Sequence, residues 1–182
     1  MLENFEMCNL SEVFPPRCSS KAVFERACEY ATFYCSTVSL IPTHLPESNA
    51  VICRNRRIGV SISGIAQWVS GVMPPDWGPC SIEQTDADMR EAYCIVRLAN
   101  ARLANEAGVR PSIRITTVKP SGTISLLAGC TPGVHHPIAR YCIRRVRVAD
   151  GSPLVPILER AGVPSEPDVV SSGTRVFEFV VD

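Results

Sequence analysis

The sequence has no apolar run of the roughly 20 residues that a membrane-crossing helix needs, which argues against a bilayer span. It has no excess charge of either sign. Eighteen Lys and Arg balance eighteen Asp and Glu, so no overall field draws the chain onto nucleic acid or a lipid surface. Its first residues, MLENFEMCNL, lack the basic start and apolar stretch of a secretion signal. Internal repeats and low-complexity tracts are absent as well. Nine cysteines stand at positions 8, 18, 28, 35, 53, 80, 94, 130 and 142. An odd count without a secretion signal argues against a disulfide framework and for a reducing, cytoplasmic setting. No two of them have C-x-x-C spacing, so no metal site is expected. Most read as small apolar fillers, and Cys28, Cys35, Cys94 and Cys142 sit in periodic segments that fit this. Cys8 does not.

What is present suffices for a domain with a core: 182 residues, 46% of them apolar. Residues 1–18 read as irregular. Ser19 or Ser20 is a cap for a helix over 21–41, with Val23, Ala27, Tyr30, Ala31, Tyr34 and Val38 on its apolar face. THLPESNAVICRN reads as a loop. Ile58, Val60 and Ile62 alternate as in a strand, which turns at Ser63-Gly64 into a helix. Thr85 and Asp88 resemble a capping box ahead of a long helix that turns Met89, Ala92, Tyr93, Val96, Leu103 and Ala107 inward and stops at Gly108. Strands are expected over SIRITTV, YCIRRVRV and TRVFEFVV, and helices over ISLLAG and PLVPILERAG. This alternation predicts an α/β fold with largely parallel strands. The chain reads as a single segment, 1–182, that is incomplete at both ends.

The most informative stretch is TVKPSGTISLLAGC, residues 117–130. A strand hands over to a short apolar helix through Lys119, Pro120, Ser121, Gly122 and Thr123. Free N–H groups at a helix start attract anions, hydroxyls add donors, and glycine permits close approach. The run is neither a P-loop nor a dinucleotide fingerprint. The residues alone leave two readings open, a phosphate site and a plain capped turn.

KPSGTISLLAGCTPGVHHPIARYCIRR (119–145) closely resembles a stretch of adenosylcobalamin-dependent, class II ribonucleotide reductases of the monomeric triphosphate-reducing type. CNLSEVFP (8–15), ATFYCSTVSLIPTH (31–44) and ESNAVICRNRRIGVSISGIAQW (47–68) do so too, in order along the chain. The resemblance implies part of the ten-stranded α/β barrel that holds the active site. It implies that Pro120, Ser121, Gly122 and Thr123 grip the substrate phosphates. It also implies that Cys8 is one of two thiols that reduce the ribose and end as a disulfide, restored by thioredoxin or a similar dithiol. The substrate would be a ribonucleoside triphosphate and the cofactor adenosylcobalamin, with neither nucleic acid nor membrane as a direct partner.

The family's radical-carrying cysteine lies in an Asn-Pro-Cys-Gly-Glu motif, which does not occur in these 182 residues. The polypeptide by itself is therefore expected not to reduce ribonucleotides. Two rival readings are a reductase of another class or of diphosphate specificity, and a non-catalytic nucleotide-phosphate-binding relic. Lys119 is a candidate helper charge. His135 and His136, in GVHHP, are candidates for a pocket role against a rigid-loop reading. Arg54, Arg56 and Arg57 read as a charged loop before a strand. Arg144, Arg145 and Arg147 read as a solvated or ion-paired face, and Trp68 and Trp77 as packing.

Overall fold

A computed structural model describes residues 2–78 and 80–181. The chain divides into two compact units, Met1–His136 and Pro137–Asp182.

The first unit is built on two parallel strands, β1 (Asn9–Val13) and β2 (Ile58–Ile62), in register from Asn9 opposite Ile58 to Val13 opposite Ile62. β1 lies inside the stretch that reads as irregular from sequence. Residues 114–117 run along the other edge of β2. Ile58 N–H donates to Arg114 O, Val60 N–H to Ile115 O, and Thr117 N–H to Val60 O, at 2.9–3.1 Å. The expected strand over 112–118 is reduced to one parallel bridge, Val60 with Thr116. Among the described residues its far edge has no partner strand, so only the groups facing β2 are fixed.

Alternation gives the β1–β2 pair two unlike faces. Val13, Ile58 and Val60 are buried in the core with α1 (Lys21–Val38) and α4 (Ile82–Glu106), where Phe24, Cys28, Cys35, Trp68, Ala92 and Val96 close the packing. The rings of Phe24, Trp68 and Trp77 meet pairwise with centroids 5.2–5.6 Å apart, which bears out both tryptophans as packing residues. The other face carries Leu10 and Glu12 of β1 and Gly59 and Ser61 of β2. Gly59 has to be small: a Cβ there would lie 2.6 Å from Leu10 and 2.8 Å from Thr117.

Several local expectations shift. α1 is capped by Ser20, whose side chain accepts from Val23 N–H, and it ends at Val38 rather than 41. Its buried stripe is Phe24, Cys28, Thr32 and Cys35. Val23, Tyr30 and Tyr34 are exposed, one position off the expected face. THLPESNAVICRN is not a loop throughout, because α2 (Pro46–Asn55) forms with Pro46 in its first turn, a position where a missing N–H costs nothing. α4 begins about one turn ahead of the expected box. Ser81 caps it by accepting from Gln84 N–H, while Thr85 and Asp88 are buried inside the helix. Within α4, Ala92 and Val96 point inward as expected, whereas Tyr93 and Ala107 are exposed. Lys21 of α1 reaches Asp88 at 2.8 Å and Glu91 at 2.7 Å, tying the two long helices. α3 (Ile65–Val69) follows the Ser63-Gly64 turn, and Gly108 adopts φ +65° just past α4, both as expected. α5 (Ile124–Leu127) is short and largely exposed.

The second unit is antiparallel, which corrects the expectation of largely parallel strands. β3 (Cys142–Ala149), β5 (Thr174–Val181) and β4 (Ser165–Pro167) lie in that order, with α6 (Val155–Arg160) between β3 and β4 in sequence. Only β4 and β5 are joined by a short loop; β3 reaches its neighbour β5 through α6 and β4. Its arginines are ion-paired: Arg145 with Glu166 and Glu178, and Arg147 with Asp168 at 2.9 Å. Cys142 here and Cys94 on α4 are exposed, so neither is a core filler. Cys28 and Cys35 are buried as expected.

Candidate functional site

The parallel strands set the site. Chain segments leave β1, β2 and residues 114–117 at one shared end, the carboxyl end, where α/β folds hold ligands. Three of them interlock there. Gly64 N–H donates to Thr131 O at 2.8 Å, Gly133 N–H to Ser63 Oγ at 2.9 Å, and Lys119 N–H to Ser61 Oγ at 2.9 Å. Gly133 sits so close to Lys119 that a Cβ would lie 2.4 Å from its carbonyl oxygen, at φ +51°. Loop 131–133 thus clasps the turn at 119–123 from behind.

The turn itself is open in front. Ser121 takes a left-handed conformation, φ +49°, unusual for a residue with a Cβ. Gly122 does not, and a Cβ there would meet no atom within 4 Å. Among the described residues, the Gly122, Thr123 and Ile124 amides donate to no protein acceptor. Thr123 stands at the N-cap of α5 but makes no side-chain cap bond. Ser121 Oγ is buried and makes no hydrogen bond of normal geometry. Neither hydroxyl caps the helix through its side chain.

Beneath the turn lies an acid that sequence reading passed over. The Glu12 side chain is 4% exposed. It accepts from Ser63 Oγ and from Lys119 Nζ, the latter at 3.2 Å. Burial alone would raise its pKa. The neighbouring Ser121, Ser63 and Lys119 outweigh burial and hold it below the ordinary carboxylate range. Ser121 Oγ contributes by proximity, without completing a hydrogen bond. Lys119 is thus committed to Glu12 and not a free charge in the turn. One signal was readable: Glu12 is the lone acid in the otherwise apolar and hydroxyl run LSEVF.

Cys8 stands at the other end of the same strand, one residue ahead of β1 and half-buried. Burial pushes its thiol up and Arg57 opposes the shift. Arg57 in turn pairs with Glu6 at 2.9 Å, and that pairing together with Asn55 holds the Glu6 carboxyl down at about 2. Arg54 binds Glu3, and Arg56 donates to Ser39 O at 2.6 Å, so this basic cluster is spent on structure. His135 and His136 are exposed, and among the described residues neither side chain bonds to the turn.

No family model matches the chain. The chain is similar to the adenosylcobalamin-dependent ribonucleoside-triphosphate reductase of Euglena gracilis, 41% identical over 99% of this chain and 24% of that protein. A probable enzyme of the same name from Dictyostelium discoideum is 38% identical over 99% of this chain and 23% of its own length. The counterpart in Lactobacillus acidophilus is 36% identical, over 98% and 26%. The chain spans about a quarter of the length of these curated relatives. A crystal structure of a B12-dependent, class II ribonucleotide reductase superposes with a TM-score of 0.80 and 30% identity, over all of this chain and 28% of that one. In sequence and in α/β architecture alike, the chain is a homologue of one segment of the class II, adenosylcobalamin-dependent ribonucleotide reductases.

Proposed function

We propose that the chain forms part of the catalytic barrel of a reductase that converts ribonucleoside triphosphates to 2′-deoxyribonucleoside triphosphates. In this reading the 120–123 turn grips the substrate phosphates and Cys8 is one of the two reducing thiols. The observation that carries the reading is the pairing of two features at the two ends of β1. At the carboxyl end is an open turn whose Gly122, Thr123 and Ile124 amides, among the described residues, donate to no protein acceptor. At the other end is a half-buried thiol. Anionic oxygens satisfy such donors, and the bonds gain strength from the partial enclosure.

The chemistry asked of Cys8 balances simply. The ribose loses its 2′-hydroxyl as water and gains hydrogen, while two thiols give up two electrons and two protons and become a disulfide. With its pKa raised, Cys8 rests at neutral pH as the thiol, the form that carries the hydrogen. A dithiol protein such as thioredoxin restores the pair by exchange, in the cytoplasm. The relatives' names speak for triphosphate over diphosphate substrates.

Adenosylcobalamin, where bound, supplies the radical that starts the reaction. The described residues do not form a pocket for it. The cavity beside β2, between Met89, Tyr93 and Thr117, measures about 280 Å³, and the one beside Glu12, Arg17 and Tyr34 about 460 Å³, both small for a corrin. What this segment does is bind, orient and reduce.

The test is the full-length protein carrying this segment, assayed with ribonucleoside triphosphate, adenosylcobalamin and a dithiol. Deoxyribonucleotide formation that requires Cys8 and weakens for Ser121→Ala is the expected result. Formation that is indifferent to both would overturn the proposal.

A further inference from the structure

We propose that Glu12 is a positioning residue that fixes the phosphate turn to the strand bearing Cys8, acting through Lys119. The inference rests on the reading of 120–123 as a phosphate site and deepens it.

A buried carboxylate beneath an anion site is at first sight a mistake. Its charge would repel the phosphates, and a buried charge without partners costs several kcal/mol. Here its partners all belong to the site. Ser63 donates to one carboxylate oxygen from the β2 turn, and Lys119 to the other from the residue that opens the turn. Lys119 is also held by its backbone, through Ser61 Oγ, and by the clasp of Gly133 behind it. The cation therefore neutralises Glu12 and cannot swing into the turn. The result is an electrically balanced floor under an open cradle.

Glu12 lies within β1 and Cys8 directly precedes it, so the turn and the thiol are tied to the same strand. Pinning the turn to Glu12 thus sets where the ribose meets the thiol. Binding strength comes from the turn's donors, while alignment comes from Glu12.

Removing either charge should have opposite effects on affinity. Lys119→Met leaves a bare carboxylate under the phosphates, so KM for the triphosphate should rise about tenfold. Glu12→Gln frees Lys119 toward the phosphates, so KM should stay level or fall while kcat falls about tenfold, because the turn has lost its tether. In the Glu12→Gln/Lys119→Met double variant KM should return to within about threefold of wild type with kcat still low. A merely structural role for the pair would not restore KM. The assay is steady-state kinetics on the full-length protein carrying this segment, with circular dichroism on each variant. Glu12→Asp, which keeps the charge and shortens the reach, should keep KM and lower kcat, and it stands in should Glu12→Gln misfold. An unchanged kcat in Glu12→Gln, or a Lys119→Met KM that is normal or is not restored by the second change, overturns the proposal. Ser121→Ala separates the two readings. If it leaves triphosphate KM unchanged, the phosphate turn itself is wrong. If it raises KM while the charge-swap pattern is missing, only the role of Glu12 fails.

Discussion

The two faces of the β1–β2 pair use the same ten strand residues for unlike ends. One face is covered by α1 and α4, dry, and filled by the Phe24, Trp68 and Trp77 rings. The other holds serines, a glycine, Glu12 and the Lys119 turn, with polar atoms matched to each other and a few left over. On the dry face, shape is everything, and a lost methyl group is felt as lost stability. On the polar face hardly any apolar area is at stake, and a lost oxygen is felt as lost alignment or affinity. The strand alternation keeps these demands from interfering.

The contrast can be broken at either face. The largest effect is expected from Cys8→Ser, just ahead of β1, in the full-length protein. Multiple-turnover reduction should fall at least ~1,000-fold, about 4 kcal/mol in barrier, with a melting temperature close to wild type in calorimetry. Trp68→Ala, on the dry face, should do the reverse and destabilise by about 3–5 kcal/mol in denaturant melts. A mild Trp68→Ala would mean that the ring cluster is not the keystone of the core. Ser121→Ala should raise KM for the triphosphate about tenfold with unchanged stability, since one hydrogen bond to a charged group is worth roughly 1.5–3 kcal/mol.

The Glu6–Arg57 pair beside Cys8 adds a pH signature. Glu6 has a folded pKa of about 2 against an ordinary 4.5. A depressed acid stabilises the fold above its unfolded pKa, and that contribution drains away as pH falls from about 4.5 to about 2. Arg57→Met should therefore move the acid-unfolding midpoint up, which a pH titration of tryptophan fluorescence would reveal. The smallest effect is expected in the second unit, where Arg147→Met breaks the pair with Asp168. Its arginine is exposed, so solvent screens the pair and a denaturant melt should show only a small loss of stability.

How much of this was readable beforehand divides along physical lines. Ser20 and the Ser63-Gly64 turn were legible because capping and turn chemistry are local. α2 was hidden by Pro46, which looks like a breaker and serves as a first-turn residue. The face of α1 slipped by one position because its tyrosines are large enough to look like core while standing in solvent. At α4, Thr85 and Asp88 mimicked a cap, while Ser81 with Gln84 three residues on held the true one. The 120–123 turn stood out locally, as a strand handed to a helix through hydroxyls and a glycine, whereas Cys8 was singled out only by long motif resemblance. Glu12 and the commitment of Lys119 to it were not found. They are 107 residues apart, and only folding brings them to 3.2 Å.

A chain with nine thiols whose proposed work is thiol chemistry faces a wiring problem, and the dry face solves it. Disulfide exchange proceeds through thiolate, and burial pushes Cys28 up to about 12. At neutral pH only ~1 in 100,000 copies of that residue is ionised. Cys18 and Cys35 are buried in the same core and shifted the same way. The packing that stabilises the helices thus also acts as insulation, keeping three sulfurs away from any exchange partner so that electrons are not diverted into the core.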